Sequence, residues 1–262
     1  MFLSQRATQG EYLDTPGLPV QQVAESYLAL GRVNRLFRYA DPFQRLLVRW
    51  LGRERVQSLS VLDLGAGDGS LGREMEHWAA ARGWTWRVTN LDLNPDALRL
   101  NRDGRNVAAS VLSLPFQNES FDVVIASQMA HHLATETQVV RHFAEAWRVT
   151  RDAVFLNDLH RNVVLFGIVW LTVRLLGLPP AMQSDGCISV QRGWRVGEWR
   201  RFAAQAGLGQ ARVWLHAGAR IMLQARKAKN VCFRAGTAQR ARSEERGVHA
   251  AARPLNQHGP NL

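Results

Sequence analysis

Residues 61–69 read Val-Leu-Asp-Leu-Gly-Ala-Gly-Asp-Gly, and their types and spacing are those of a ligand-cradling turn. Val61 to Leu64 form a short apolar strand, and Gly65, Gly67 and Gly69 permit a tight turn with close backbone approach. A helix opening near Ser70 then offers the free N–H groups of its first turn to whatever lies in the loop. A dinucleotide fingerprint counted from Gly65 requires glycine at position 70, where Ser70 stands. Asp63, two residues before Gly65, argues the same way. A carboxylate there repels a pyrophosphate but attracts a cationic sulfonium or amino group by roughly 1–4 kcal/mol at a few ångströms. Asp92 closes a second strand, where an acidic side chain can accept both hydroxyls of a ribose. The competing role, capping the next helix, is better served by Asn94 with Pro95 behind it at the first helical position.

These residues need a scaffold of strands and helices in alternation. Helical patterning runs from Gln21 to about Leu51, broken at Asp41-Pro42. Strands follow at 61–64, 86–92, 106–111, 121–126 and 152–157, with helices at 70–82, from 94, and at 135–148 between them. Such alternation predicts βαβ units: an α/β, doubly wound, mostly parallel sheet covered on both faces. An apolar stretch from Val163 to Leu178 and a Gly/Pro/Ser-containing loop up to 193 interrupt it, before a helix at 196–206 and strands at 210–216 and 220–225. Residues 1–20 read as loose, and 228–262, basic and without periodicity, as a disordered tail.

Composition sets limits. With 262 residues and 46% hydrophobic content the chain suits one large globular domain with appendages. The formal net charge is +11, carried by arginines apart from Lys227 and Lys229. Such charge opens nucleic acid or an anionic membrane surface as partners, although most of it reads as solvated surface. Two cysteines, Cys187 and Cys232, supply neither a disulfide framework nor metal-ligand spacing, so no metal is expected. The N-terminus lacks the pattern of a signal peptide, and the apolar run of 163–178, which contains Arg174, is short for a membrane span. A cytoplasmic location is the expectation.

In combination, the run 61–69, Asp92-Leu93-Asn94-Pro95, Leu114-Pro115-Phe116 and Phe121-Asp122-Val123-Val124 resemble the class I S-adenosylmethionine-dependent methyltransferase superfamily over roughly residues 56–227. The resemblance implies a Rossmann-like methyltransferase fold: a seven-stranded sheet with an antiparallel final hairpin, and the N-terminal segment 1–55 as a helical lid over the acceptor. It implies S-adenosylmethionine as donor and S-adenosylhomocysteine as product. Asp63, Gly65, Ala66 and Gly67 would hold the methionine part and Asp92, with Leu93, the ribose. Ser110 and Val111 would hold the adenine, and Ser127 would belong to the same site. Many members carry Asp where Ser110 stands, so adenine affinity is open to question, and a catalytically silent, cofactor-binding partner subunit is one alternative.

A narrower resemblance, to bacterial methyltransferases encoded beside type III polyketide synthases, rests on Arg32-Val33-Asn34-Arg35-Leu36-Phe37, His131-His132-Leu133, Asn157-Asp158-Leu159 and the stretch 185–192. It implies a small phenolic or polyketide-derived acceptor. The segment Ser127 to Leu133 occupies the position that faces the transferred methyl in the superfamily. It lacks the Asn/Asp-Pro-Pro-aromatic motif common in amino-directed nucleic-acid enzymes, which weighs against the RNA methyltransferase that the charge alone would allow. His131 or His132 is a candidate general base for a hydroxyl, O-methylation being favoured over C-methylation. The alternative is that one histidine caps the following helix and the other packs; two adjacent histidines do not readily both face one site. Asp158 and His160 are weaker candidates, Asp158 being equally suited to capping a helix. The apolar stretch 163–178 either walls an apolar pocket, packs on the sheet edge, or touches a membrane surface peripherally.

Overall fold

A computed structural model describes residues 3–15, 17–52, 56–102 and 104–227. The expected tail, 228–262, lies outside the described residues. Seven strands, β1 (Ser58–Leu64), β2 (Thr85–Asp92), β3 (Arg105–Ala108), β4 (Phe121–Ser127), β5 (Thr150–Leu159), β6 (Arg212–His216) and β7 (Arg220–Arg226), form one sheet in the order β3-β2-β1-β4-β5-β7-β6. The first five in that order run parallel, and β7 pairs antiparallel with both β5 and β6. The mostly parallel sheet and the antiparallel final hairpin are as expected.

The two faces of the sheet are buried by alternate residues of the same strands, as period-2 side-chain geometry requires. Leu62, Leu64, Val124, Ala126, Val154 and Leu156 point into one core, where they meet Phe143 of α5 (Glu136–Val149) and Trp199 and Phe202 of α8 (Val196–Gln205). Val61, Val123, Ile125, Ala153 and Phe155 point into the other, with Phe43 and Leu47 of α2 (Asp41–Leu51) and Met75 of α3 (Ser70–Ala80). Chain order reverses direction between β1 and β4, and the loops leaving these two strands at their carboxyl ends therefore flank a crevice. The Asn94 side chain caps α4 (Pro95–Arg99) by accepting from the N–H groups of Asp96 and Ala97.

Three regions differ from the sequence reading. Residues 180–192, expected as loop, form helix α7 (Pro180–Arg192) beside α6 (Val163–Leu175). Pro180 fits a first helical turn, and Met182 and Ile188 are buried, so tertiary packing outweighs the weak helix propensity of Gly186 and Ser189. The N-terminal segment, expected as loose, is pinned. The Arg6 guanidinium donates to the carbonyls of His131, Leu133, Ala134 and Arg192 at 2.6–2.9 Å and lies 4.1 Å above the Trp194 ring. A short 3-10 turn at Tyr12–Asp14 is held by the Asp185 carboxylate, which accepts from the N–H groups of Tyr12 and Leu13. Strand β3 ends at Ala108, short of the expected Val111, because the chain turns at Ser110, whose Oγ accepts from Leu112 N.

Candidate active site

The loop after β1 is built as a closed cradle. Gly65 and Gly67 adopt φ of +71° and +56°, which side chains other than hydrogen rarely tolerate. A Cβ on Gly65 would overlap Met129, and one on Gly67 would come within 2.6 Å of the Tyr27 ring. In the loop leading into α3 most N–H groups are bonded within the fold, and so is that of Ser70, the first residue of the helix. Gly65 and Ala66 donate to Leu91 O, Gly67 to Asp92 Oδ2, Gly69 to Ala66 O and Ser70 to Asp68 Oδ1. Donors spent inside the loop are not available to a phosphate.

The charge in the loop points the same way. Asp63 is fully buried, and its Oδ2 has no hydrogen-bond partner among the described residues. Burial, with Asp92 and Asp68 adding like charge, pushes its carboxyl up to about 8. A buried, unpaired carboxyl beside two glycines with positive φ fits a cationic group and would repel an anion. Asp92 bridges two backbone donors, taking Gly67 N on Oδ2 and Asn94 N on Oδ1, each at 2.8 Å, so it braces the loop as well as facing the cavity. Gly65, Ala66, Leu93, Ser110, Val111 and Ser127 line the same cavity, so the residues singled out as cofactor ligands converge. Ser127 Oγ donates to Asn157 Oδ1 at 2.6 Å, fixing the end of β4 against β5. By chemistry and placement the residues fit S-adenosylmethionine.

The cavity is about 1450 Å³. Ligand pockets usually run roughly 300–1,000 Å³, so there is space for a donor and an acceptor together. Its outer part is walled by apolar side chains: Leu30 and Val33 of α1 (Val20–Leu36), Leu165 and Val169 of α6, and Met182 of α7.

Both histidines line this cavity, although two neighbours were not expected readily to do so. They sit on a 3-10 turn, Ala130–His132, with rings 4.2 Å apart, and a separate carboxylate tethers each. His131 is buried. Its Nδ1 lies 2.6 Å from Asp158 Oδ1, and its backbone N–H donates to Asp158 Oδ2 at 2.7 Å. Burial raises the Asp158 pKa, but the imidazole of His131 and the N–H groups of Leu159 and His131 outweigh it and hold the carboxyl below its usual range. Asp158 therefore orients His131; it does not cap α6, a task taken by Asn162, which accepts from Leu165 N. An ionised Asp158 accepting from Nδ1 leaves the His131 Nε2 lone pair as the basic site. His132 is half-exposed on Asp14, 2.9 Å away. His160 bonds to Asn162 and does not line the cavity.

Glu11, Asp14 and Arg192 complete the cluster and were not singled out from sequence. Glu11 Oε1 lies 3.5 Å from His131 Nε2 and 3.6 Å from Arg192 Nη1. Burial pushes the Glu11 carboxyl up to about 7. Arg192 also bonds Asp14 Oδ2 at 2.7 Å and the carbonyl of His132. Glu11, His131 and His132 offer ligand atoms within 4.8 Å of one another, a spacing that would suit a metal ion. The Arg192 guanidinium already brings positive charge to that carboxylate, which opposes a cation there. The only signal for this cluster in the sequence was the stretch 185–192, which contains Asp185 and Arg192; nothing marked Glu11.

Residues 62–156, spanning β1 to β5, match the family described as a methyltransferase domain. No curated protein matches. Among solved structures, the plantazolicin methyltransferase BpumL, in complex with a monoazolic desmethylPZN analogue and SAH, is 8% identical over 80% of this chain and 90% of its own, with a TM-score of 0.58. A SAM-dependent methyltransferase from Thermotoga maritima is 12% identical over 79% of this chain and 99% of its own, with a TM-score of 0.54. The magnesium protoporphyrin IX methyltransferase of Synechocystis PCC 6803, with bound SAH, is 15% identical over 73% and 83%, with a TM-score of 0.50. At these identities the likeness is one of fold. Residues 62–156 are thus similar to a methyltransferase domain, and the chain shares the fold of these solved methyltransferases.

Proposed function

We propose that the chain methylates a hydroxyl of a small, apolar, aromatic acceptor, with His131 as general base. The observation that carries this reading is the 2.6 Å contact of His131 Nδ1 with buried Asp158 at the wall of the cavity. When bound, S-adenosylmethionine supplies an electrophilic methyl on a sulfonium. Asp63 and the turn at Gly65 and Gly67 would hold its methionine part, Asp92 its ribose, and Ser110 and Val111 its adenine. The remaining work belongs to the chain. His131 Nε2 takes the acceptor's proton as the oxygen forms its bond to carbon. Asp158 keeps the ring in the tautomer that leaves Nε2 free and stabilises the imidazolium that results. The apolar wall from α1, α6 and α7 selects an apolar acceptor and excludes water.

Fixing the acceptor in line with the methyl is the larger factor, up to about 7–11 kcal/mol. The base adds about 10²–10⁴-fold. A phenolic or polyketide-derived acceptor agrees with the second sequence resemblance. The test is mass spectrometry of products from a panel of phenols, quinones and RNA with labelled donor. Label on a phenolic oxygen, lost in His131→Gln, is the expected outcome. Label on carbon or on RNA refutes the reading. No transfer to any acceptor, with donor affinity intact, favours the silent-subunit alternative.

A further inference from the structure

Helix α6 turns apolar residues outward. Surface helices normally place polar side chains on the solvent side. Here Val164, Ile168, Leu171 and Leu175, at helical spacing along one face, are 46–77% exposed, and Trp170 beside them is 45% exposed. Arg174 is the only charged residue of the helix, its guanidinium 4.1 Å above the Trp170 ring. No Asp or Glu occurs between Asp158 and Asp185. Helix α1 packs beside α6 and α7 through Leu30 and Val33, and exposes Leu28, Leu36, Arg32 and Arg35.

We infer that α6, with the exposed end of α1, docks in the headgroup region of an anionic lipid bilayer. Length, charge and position select this occupant. At 13 residues α6 is about 20 Å long, too short to cross a hydrocarbon core of about 30 Å but suited to lying in its surface plane. No helix among the described residues is long and apolar enough to cross a membrane. The apolar stripe of α6 is free of acidic residues and is flanked by Arg174, Arg32 and Arg35, which outnumber Glu25, the one acidic residue of α1, so the face complements anionic headgroups. A second copy of the same face would instead set like charges against each other. The face is also continuous with the cavity: Ile168 and Phe37 are 46% and 43% exposed and line the cavity as well, so its mouth opens at this surface. Docking would let an apolar acceptor enter from the lipid phase, a consequence that rests on the proposed function. The docking itself does not.

The test is co-sedimentation of the full chain, without acceptor, with equimolar phosphatidylglycerol/phosphatidylcholine vesicles and with phosphatidylcholine vesicles. Partitioning at least tenfold stronger to the anionic vesicles is expected, weakened by 0.5 M salt. Leu171→Asp with Leu175→Asp should lower it at least tenfold. Neither residue lines the cavity, and both are half or more exposed, so the fold should tolerate them; a melting curve checks this. As a second readout on the unaltered chain, hydrogen exchange should slow in 163–176 when anionic vesicles are added. Absence of binding, binding unchanged in the double variant (as a basic 228–262 segment acting alone would give), or unchanged exchange in α6 overturns the inference. So does a dimer in sedimentation that the double variant dissolves.

Discussion

Binding of the donor should depend on pH through Asp63. In the donor-free protein this carboxyl is pushed up to about 8, so at pH 7 it is about nine-tenths protonated and cannot attract a cation. A cationic ligand favours the ionised form and should lower that pKa again. Binding then selects the ionised fraction, which is about one in a hundred at pH 6 and about one in ten at pH 7. The dissociation constant of S-adenosylmethionine should therefore fall about tenfold from pH 6 to pH 7. The gain should flatten from about pH 8, where Asp63 is half ionised and the ligand's own amino group, with a usual pKa of about 7.7–8.0, starts to lose its charge. Calorimetry at pH 7 in two buffers of different ionisation heat should show release of close to one proton per donor bound. Asp63→Asn should abolish both the slope and the proton release, and weaken binding at least tenfold at pH 8. A dissociation constant that is flat from pH 6 to pH 7, or a slope that survives in Asp63→Asn, would refute the account of Asp63 as the cation partner.

Three further outcomes are expected. Asp92→Ala removes the acceptor of the Gly67 and Asn94 N–H groups as well as the proposed ribose ligand, and should weaken donor binding at least tenfold by calorimetry. Gly67→Ala places a methyl 2.6 Å from the Tyr27 ring at a φ of +56°, so donor binding should fall at least tenfold and the melting temperature should drop; unchanged values would show that α1 moves aside freely. Asp158→Asn should lower kcat about 10²–10⁴-fold while donor affinity stays within twofold, since it disturbs the His131 tautomer and leaves the loop after β1 untouched. An equal loss in donor affinity would make Asp158 a structural residue.

The sequence by itself determined the local features proposed to hold the donor. Strand-turn-helix order, glycines at 65 and 67, Asp63 before them and Asp92 at the end of the next strand are local features, and local features are legible because hydrophobic period and turn chemistry act over a few residues. The alternation of strands and helices, and the Asn94 cap, were readable for the same reason. What only the tertiary structure decided is the acceptor half. Glu11, Asp14, His131, Asp158, Asp185 and Arg192 come from four separated stretches of chain, and no short-range pattern marks their convergence. The N-terminal segment is ordered by long-range hydrogen bonds from Arg6 and Asp185, and α7 by packing that outweighs its propensity. Even in the loop after β1, types and spacing could not say where the N–H groups point. The fold turns those of Gly65, Ala66 and Gly67 inward onto Leu91 and Asp92, and leaves the Asp63 carboxyl buried at the cavity with an oxygen that has no hydrogen-bond partner among the described residues, an arrangement suited to a positive charge.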